Sequence, residues 1–419
     1  MAQEINQVYR RVRATVWLPL GFMYASYYMT RYNLSFGKTT MTREFGWTNE
    51  QWGWIGATFF WMYAFGQFIN GQITDRIGGR KAIVIGAVAT VILNCLMALG
   101  GGFGVIGYFI IMWGANGYFQ AFGAPSIVSV NGNWFALRER GTFTGIFGMM
   151  IQLGRFAVTL LGGFLIANYA WPNLFIMPAL ITAFFAIIAW FAIRNHPEDI
   201  GFEAPDMGEH DQGTDHRPAG IRYTLKKVLS SPTLWVISMA YFCTGWVRHG
   251  FEQWFPAYLQ EVQHLAPDSM AFQLKSLALP VTAVLGAFAA GVSSDKLFGS
   301  RRGPPAAIMY YAQFVLLIIF YYYAGPTSAA VLLILLSFFV NGPHSLLGGA
   351  AAMDFGGRKA SGSAAGMIDA FQYIGAGIVQ PIVGSVIDVY GWNGWALSLA
   401  GFALIGGILM STLWNAKPK

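Results

Sequence analysis

Long apolar runs separated by short polar turns recur along nearly the whole chain. A helix needs about 20 residues to cross the hydrocarbon core of a bilayer, and twelve runs approach or exceed that length. These predicted spans, numbered 1 to 12 in chain order, cover residues 15–37, 52–74, 82–100, 105–131, 141–168, 172–194, 232–258, 270–294, 304–324, 327–351, 361–388 and 392–414. The pattern predicts an all-α membrane protein with twelve transmembrane helices.

The two halves of the chain repeat one another at a spacing of about 220 residues. GQITDRIGGRK follows span 2 and GVSSDKLFGSRR follows span 8; RERGTFTG follows span 4 and RKASGSAAG follows span 10. The repeat predicts a six-helix bundle in residues 1–194 and a second one in residues 229–419. Residues 195–228 are rich in acidic and then basic side chains and are predicted to form a cytoplasmic linker, after which Ser231 and Pro232 begin the next helix.

Composition and charge place the chain in a bilayer. Hydrophobic residues make up 55% of it and charged residues 11%, which excludes an ordinary soluble domain. The net charge of +7 is spread over alternate turns, while the opposite turns carry only Lys38, Arg43 and Lys275. By the positive-inside rule both termini are cytoplasmic, and we expect no nucleic acid partner. The polar, basic start argues against a cleavable signal peptide and favours a multi-pass protein of a bacterial inner membrane.

Two arginines lie at matching depths of spans 1 and 7, Arg31 and Arg248. A guanidinium inside a bilayer is costly, so such a residue indicates a functional site. A guanidinium fork donates paired hydrogen bonds to phosphate, carboxylate or sulfonate oxygens, and the pair therefore predicts a site for a small anion. An alternative for Arg248 is structural neutralisation by Glu252, which follows it at the i,i+4 spacing.

Other charges in or beside the spans allow further roles. Arg155 in span 5 and Asp369 in span 11 either pair with one another or act separately, Arg155 on a second acidic group of the substrate. Asp369 and Glu252 could instead carry protons, which would make the protein a symporter, and His249 is either a packing residue or part of that relay. The cytoplasmic turns are predicted to lock one conformation through charge pairs, unless they only set topology: Asp75, Arg76, Arg80, Asp295, Lys296 and Arg301.

Signatures of an enzyme are not apparent. The sequence shows no nucleotide-binding loop, metal-ligand cluster or nucleophile in a convincing context, and Cys95 and Cys243 lie within spans rather than in a disulfide framework. We therefore predict no enzymatic activity, no cofactor and no metal. The expected partners are a small anionic substrate and the lipid bilayer, and the expected functional unit is a monomer.

Several segments carry a family resemblance. The turns that begin at Gly71 and Gly291 resemble the signature of the major facilitator superfamily. YYMTRYN, YFQAFGAPS, NWFALRERGTFTG, RHGFEQWFPAYLQEV, SDKLFGSRRG and NGPHSLLGGAAAMD, found in both halves, resemble its organophosphate:phosphate antiporter family, whose members include glycerol-phosphate and hexose-phosphate exchangers. The resemblance covers nearly the whole chain and implies exchange of a small organic anion by alternating access.

The resemblance also implies individual roles. Arg31 and Arg248 match the arginines that hold the substrate phosphate, and the residues that would line the same pocket are Tyr24, Tyr28, Tyr63, Gln120 and Tyr373. Positions 32, 67 and 151, where the family often has Lys, Lys and His, carry Tyr32, Gln67 and Ile151. The pocket is thus expected to be less cationic, and inorganic phosphate is not implied as the counter-substrate. Two alternatives are a proton-coupled organic-anion symporter and a transporter-like receptor for a sugar phosphate.

Overall fold

The computed structural model describes residues 2–102, 104–135, 140–203, 229–325, 327–351, 354 and 361–416. The described residues form helices α1 to α13. The first seven are α1 (Ala2–Phe45), α2 (Asn49–Ile77), α3 (Gly79–Leu99), α4 (Ile106–Gln120), α5 (Gly123–Trp134), α6 (Arg140–Asn168) and α7 (Asn173–Ala192). The remaining six are α8 (Pro232–Glu252), α9 (Phe255–Glu261), α10 (Met270–Val292), α11 (Gly303–Tyr323), α12 (Ser328–Ser345) and α13 (Ser361–Thr412).

The twelve predicted spans fall on these helices with three adjustments. Span 4 is divided into α4 and α5 at Ala121–Phe122, and span 7 is divided into α8 and α9. Spans 11 and 12 share α13, which bends at Gly391 because this residue has a φ of 67°, a conformation that glycine adopts without steric penalty. Helix α8 begins as predicted, since the Ser231 hydroxyl accepts a hydrogen bond from the Leu234 amide.

Seven helices in the described part of the chain are long and apolar enough to cross a membrane, and the 49-residue segment within α13 provides length for two crossings. Helices α1 and α8 do not meet this criterion of length and apolarity, and they contain the most buried polar residues. Arg31 and Lys38 lie in α1, while α8 contains Arg248, His249 and Glu252. Polar side chains in membrane helices face protein or water rather than lipid, so these helices belong to the interior.

The helices form two compact units. Unit 1 comprises residues 1–37 and 62–216, and unit 2 comprises residues 38–61 and 217–419. In unit 1, α3 packs against α4, α5 and α7; in unit 2, α8 and α11 pack against α13, and α12 packs against α10 and α11. Helices α1 and α2 therefore each contribute to both units. The two bundles predicted over 1–194 and 229–419, with their linker over 195–228, remain a prediction.

Within unit 2, the segment 38–61 is held by an ion pair at the end of α1. The Lys38 ammonium is 2.7 Å from Glu261 Oε1, and its side chain is 3% exposed. The rings of Trp254 and Trp392 each lie 5.7 Å from this nitrogen, which adds cation–π attraction. Thr39 donates a further hydrogen bond to Glu261. Burial favours the neutral form of the amine, so the pair needs this surrounding support.

A carboxylate from α13 caps the beginning of α2. Asp388 accepts hydrogen bonds from the Asn49 amide at 3.1 Å, the Asn49 side chain at 2.6 Å and the Glu50 amide at 2.9 Å. The first amides of a helix have no partner within it, and the helix dipole favours negative charge at this end. Asp388 thus fixes the start of α2 against the C-terminal helices of unit 2.

Candidate functional site

Arg31 lies in unit 1, in the middle of α1, and is 5% exposed. Its Nε donates to Gln120 Oε1 at 3.1 Å, and its guanidinium carbon lies 4.6 Å from the Tyr28 ring centre and 4.4 Å from that of Tyr63. These three contacts are with neutral groups, so none of them cancels the charge. The structure therefore brings three predicted binding residues, Tyr28, Tyr63 and Gln120, around the buried Arg31 cation.

A second layer fixes the orientation of Gln120. Its Nε2 donates to the Thr30 carbonyl and the Thr30 hydroxyl, both at 3.1 Å, and also lies 3.4 Å from Asn116 Oδ1. Because the Gln120 amide nitrogen donates to Thr30, the Gln120 amide oxygen is directed toward Arg31. Gln120 is the last residue of α4, where the chain turns before α5. The family resemblance identified Gln120, but Thr30 and Asn116 carry no recognisable signal in the sequence.

Aromatic side chains extend this cluster along α1. Tyr24 contacts Tyr28 edge to face at 5.5 Å, and Tyr28 stacks on Tyr32 with ring centres 6.1 Å apart. The guanidinium carbon of Arg155 lies 5.0 Å from the Tyr32 ring centre, and Arg155 Nη1 is 3.3 Å from Gln152 Oε1. Arg155 is thus joined to the same row of tyrosines that underlies Arg31.

Arg248 occupies a different electrostatic setting in unit 2. Its Nε lies 3.4 Å from Glu252 Oε1, and both residues are buried in α8. The i,i+4 pair considered as an alternative from the sequence is therefore formed. A carboxylate this close balances part of the guanidinium charge, so an incoming anion has to compete with Glu252.

Two further predicted residues of unit 2, His249 and Tyr373, lie near one another. The His249 ring is 4.4 Å from Phe60 and 6.3 Å from Tyr373, and Gln380 donates to the His249 carbonyl at 3.3 Å. Asp369 is half-buried, one turn before Tyr373 in α13. Tyr373 and His249 thus form an aromatic group beside the paired Arg248.

The charges predicted to lie in cytoplasmic turns are arranged differently in the two units. In unit 1 Asp75 and Arg76 are exposed, while Arg80 lies 4.7 Å from the Trp190 ring. In unit 2 Asp295 pairs at 2.8 Å with Arg302, a residue the sequence did not single out. Lys296 is exposed, and Arg301 Nε donates to the Phe298 carbonyl.

Arg302 links two carboxylates at the end of α10. It also contacts Asp354 at 2.8 Å, in addition to Asp295. Burial opposes the charged form, but the two carboxylates outweigh that effect and raise the pKa of Arg302 above its ordinary value. Asp354 lies far along the sequence, so a repeat motif gave no indication of this bridge.

The fold and the buried cations define a multi-pass helical membrane protein, and comparison with known proteins defines its family. Residues 20–380 match the model of the Major Facilitator Superfamily. The chain belongs to this superfamily, which implies two six-helix domains and confirms the predicted class of membrane transporter rather than enzyme.

Similar proteins cover essentially the whole chain. A probable hexose phosphate transport protein of Chlamydia pneumoniae is 26% identical over 100% of this chain and 94% of its own length. The glycerol-3-phosphate transporter of Bacillus subtilis and the membrane sensor protein UhpC of Escherichia coli are each 26% identical, over 99% of this chain and 95% of theirs. These relatives confirm the resemblance to the organophosphate:phosphate antiporter family.

Solved structures show the same fold. A bacterial homologue of the human lysosomal transporter Spinster, in an inward-facing and unoccupied conformation, has a TM-score of 0.76 with 15% identity. That alignment covers 96% of this chain and 95% of the other. The D-xylose-proton symporter has a TM-score of 0.70 with 15% identity over 97% and 98% of the two chains.

Proposed function

We propose that this protein is a secondary transporter that exchanges a small organic anion for another anion by alternating access. The proposed substrate is an organophosphate, such as a sugar phosphate or glycerol phosphate, or a related phosphonate or sulfonate. Arg31 and Arg248 hold its anionic group, and Tyr24, Tyr28, Tyr63, Gln120 and Tyr373 surround it. The observation that carries the proposal is the buried Arg31 guanidinium, held in place by Gln120 and by two aromatic rings.

The chemistry of the Arg31 cluster favours a doubly coordinated oxyanion. Stacking occupies the faces of a guanidinium and leaves its N–H groups to bond in the guanidinium plane, where phosphate oxygens accept two parallel hydrogen bonds. Because the neighbouring groups are buried, these bonds form in a medium of low dielectric and gain strength. The relatives that are named as hexose phosphate and glycerol-3-phosphate transporters support phosphate esters as the first class to test.

Exchange follows from the energy of the empty carrier. Closing an empty binding site around a buried cation is disfavoured by several kcal/mol. The empty carrier therefore rarely reorients. A bound anion neutralises the cation and allows the carrier to reorient. At Arg248 the Glu252 carboxylate already offsets part of this penalty.

Purified protein in proteoliposomes tests this function. Vesicles loaded with glycerol 3-phosphate should take up radiolabelled glycerol 3-phosphate much faster than empty vesicles, because the anion inside returns the carrier. Arg248→Lys keeps a charge but loses the fork, and it should reduce exchange sharply. Equal uptake into loaded and empty vesicles, or full activity of Arg248→Lys, would contradict the proposal.

A proton-coupled symporter is the second candidate, favoured by the Arg248–Glu252 ion pair. An anion that binds Arg248 releases the Glu252 carboxylate, which then becomes available for a proton. In that case an inward pH gradient would drive accumulation into empty vesicles, and Glu252→Gln would abolish the effect of pH. Asp369→Asn is the parallel test of the other intramembrane acid.

The sensor relative introduces a receptor as a third candidate. A receptor would bind a sugar phosphate with negligible flux, so binding and uptake measured on the same preparation distinguish it from a carrier. In either role we propose a monomer of the bacterial inner membrane with both termini in the cytoplasm. Cysteine labelling at each terminus from either side of the membrane tests that topology.

A further inference from the structure

An apolar groove lies on the surface of unit 1 between α3 and α7, two helices that pack against each other. Two overlapping cavities of about 320 and 480 Å³ form it. Its walls are side chains that recur one helical turn apart, namely Val84, Val88 and Ile92 on α3 and Ala183 and Ile187 on α7. The groove therefore follows the two helices over several turns.

The groove is open to the surroundings of the protein. Val88, Ile92 and Ile187 are all exposed, although each is a large apolar side chain. On α7 the small side chains of Ala183 and Ala186 also line the groove and leave room between the larger ones. A continuous exposed apolar surface marks a site of interaction. In a membrane protein the surroundings at such a surface are acyl chains, so a chain of this kind is the natural occupant.

Cations border one end of the groove. Lys81 and Trp190 both line this end, and the Arg80 guanidinium carbon lies 4.7 Å from the Trp190 ring centre. Arg194 Nη1 donates a hydrogen bond at 2.7 Å to the carbonyl of Phe191, another lining residue. Tryptophan is typical of the interface between membrane and water, and basic residues are typical of the head-group region. This end of the groove therefore suits an anionic head group.

The length of the groove matches one leaflet of a bilayer. From Lys81 to Ile92 helix α3 rises about 16 Å, and half of the hydrocarbon core of a bilayer is about 15 Å thick. A phospholipid with its phosphate at Lys81 therefore places an acyl chain along Val84, Val88 and Ile92. The sequence predicts that the turn before α3 is cytoplasmic, and basic pockets between membrane helices on that side suit anionic lipids.

We propose that the groove between α3 and α7 binds an anionic phospholipid. One acyl chain lies between the two helices, and the head-group phosphate contacts Lys81 and Arg80. The lipid is a bound ligand that joins the ends of α3 and α7, and it is not a transported substrate. The groove shares no residue with the Arg31 cluster, so this inference goes beyond the proposed transport function and holds for any transported anion.

Two lipids that differ in head-group charge test this site. Dioleoylphosphatidylglycerol is anionic and dioleoylphosphatidylcholine is zwitterionic, while their acyl chains are identical. Each lipid is titrated into delipidated protein in detergent, and native mass spectrometry counts the bound lipid. We expect the anionic lipid to bind at least about tenfold more tightly, since each basic residue near the head group contributes about fivefold. Equal affinities for the two lipids would overturn the proposal.

Replacing Lys81 tests the position of the head group. Lys81→Gln removes the charge of an exposed side chain, so the packing of α3 stays intact. The affinity for phosphatidylglycerol should fall about fivefold, and the affinity for phosphatidylcholine should not change. Lys296→Gln, at an exposed lysine in the corresponding turn of unit 2, controls for net charge and should leave both affinities unchanged. Equal effects of the two variants would show unspecific attraction and contradict the site.

Filling the groove tests the position of the acyl chain. Val88→Trp places a bulky ring at a lining position that is 50% exposed. Phosphatidylglycerol should then bind at least about tenfold more weakly, the contribution of about two buried methylene groups. Val331→Trp makes the same change at a valine of α12 that is 52% exposed, and it should not alter binding.

Two outcomes of the Val88→Trp experiment would contradict the proposal. Unchanged binding of phosphatidylglycerol would mean that the acyl chain lies elsewhere on the protein. A lipid-free mass of two protein copies that Val88→Trp converts to one copy would mean that a second copy of this chain occupies the groove. Unfolding temperatures of each variant without lipid show that the compared proteins are equally folded.

Discussion

At the scale of single residues, the two arginines are not equivalent. Arg31 is held by an amide and two rings, whereas Arg248 has a carboxylate 3.4 Å away. The contacts described for Arg31 are with neutral groups, whereas an anion that binds Arg248 would compete with Glu252. We therefore propose that Arg248 binds the anion in competition with Glu252.

Changing Gln120 to an acid should neutralise Arg31. In Gln120→Glu a carboxylate replaces an amide oxygen 3.1 Å from Arg31 Nε, so it acts as an internal counter-ion. We expect phosphate-ester affinity to fall by about 30-fold or more, corresponding to roughly 2 kcal/mol for a charge-assisted hydrogen bond. Calorimetry checks this, with Gln72→Glu at an exposed position of α2 as the control acid. Unchanged affinity would show that Arg31 does not bind the anion.

Removing the acidic neighbour of Arg248 should have the opposite effect on the affinity for phosphate esters. Glu252→Gln removes the carboxylate that competes with the anion, and we expect about tenfold tighter binding of phosphate esters. The same variant should unfold at a lower temperature without ligand, because a buried arginine loses its acidic partner. A thermal-shift series with and without ligand measures both effects. Weaker binding in Glu252→Gln would mean that this acid supports the site rather than competing for it.

At the scale of helices, the attachment of α2 depends on a cap supplied from α13. Asp388→Asn keeps the side-chain size and removes the charge, so the Asn49 and Glu50 amides lose their charged acceptor. Loss of an N-terminal cap costs about 1 kcal/mol. Hydrogen–deuterium exchange over the first turn of α2 should accelerate about fivefold. Asp268→Asn, an exposed acid outside this contact, should leave exchange there unchanged.

Much of the helical framework could be predicted from the sequence. Membrane crossings require long apolar runs, and the basic turns repeat between the halves, so both signals lie in consecutive residues. The breaks at Ala121–Phe122 and after Glu252 were not predicted, because apolarity alone does not distinguish a straight helix from two joined ones. Gly391 coincides with the boundary assigned between spans 11 and 12.

The candidate site was predictable to a smaller extent. Arg31 and Arg248 were identified from the cost of charge in a bilayer, and Glu252 from helical spacing. Gln120 and the tyrosines required family resemblance. The contacts of Thr30 with Gln120, of Arg155 with Tyr32 and of Lys38 with Glu261 join residues distant in sequence. Such pairs are decided by helix packing, which no local pattern encodes.

At the scale of the whole molecule, helix α1 contributes residues to both units. Its middle carries Arg31 and the tyrosine row, its later part belongs to unit 2, and its Lys38 is held by Glu261. Both α1 and α2 pass from one unit to the other. Arg31, the residue proposed to bind the anion, and Lys38, which pairs with Glu261, thus lie on one continuous helix.

We propose that Arg31 is the main binding residue for the transported anion. The direct measurement is calorimetric titration of glycerol 3-phosphate into purified wild-type, Arg31→Gln and Arg31→Lys proteins, together with their unfolding temperatures in the absence of ligand. We expect Arg31→Gln to bind at least about 100-fold more weakly, and Arg31→Lys to bind at an intermediate level because it keeps the charge without the fork. A folded Arg31→Gln protein that binds with wild-type affinity would contradict the account.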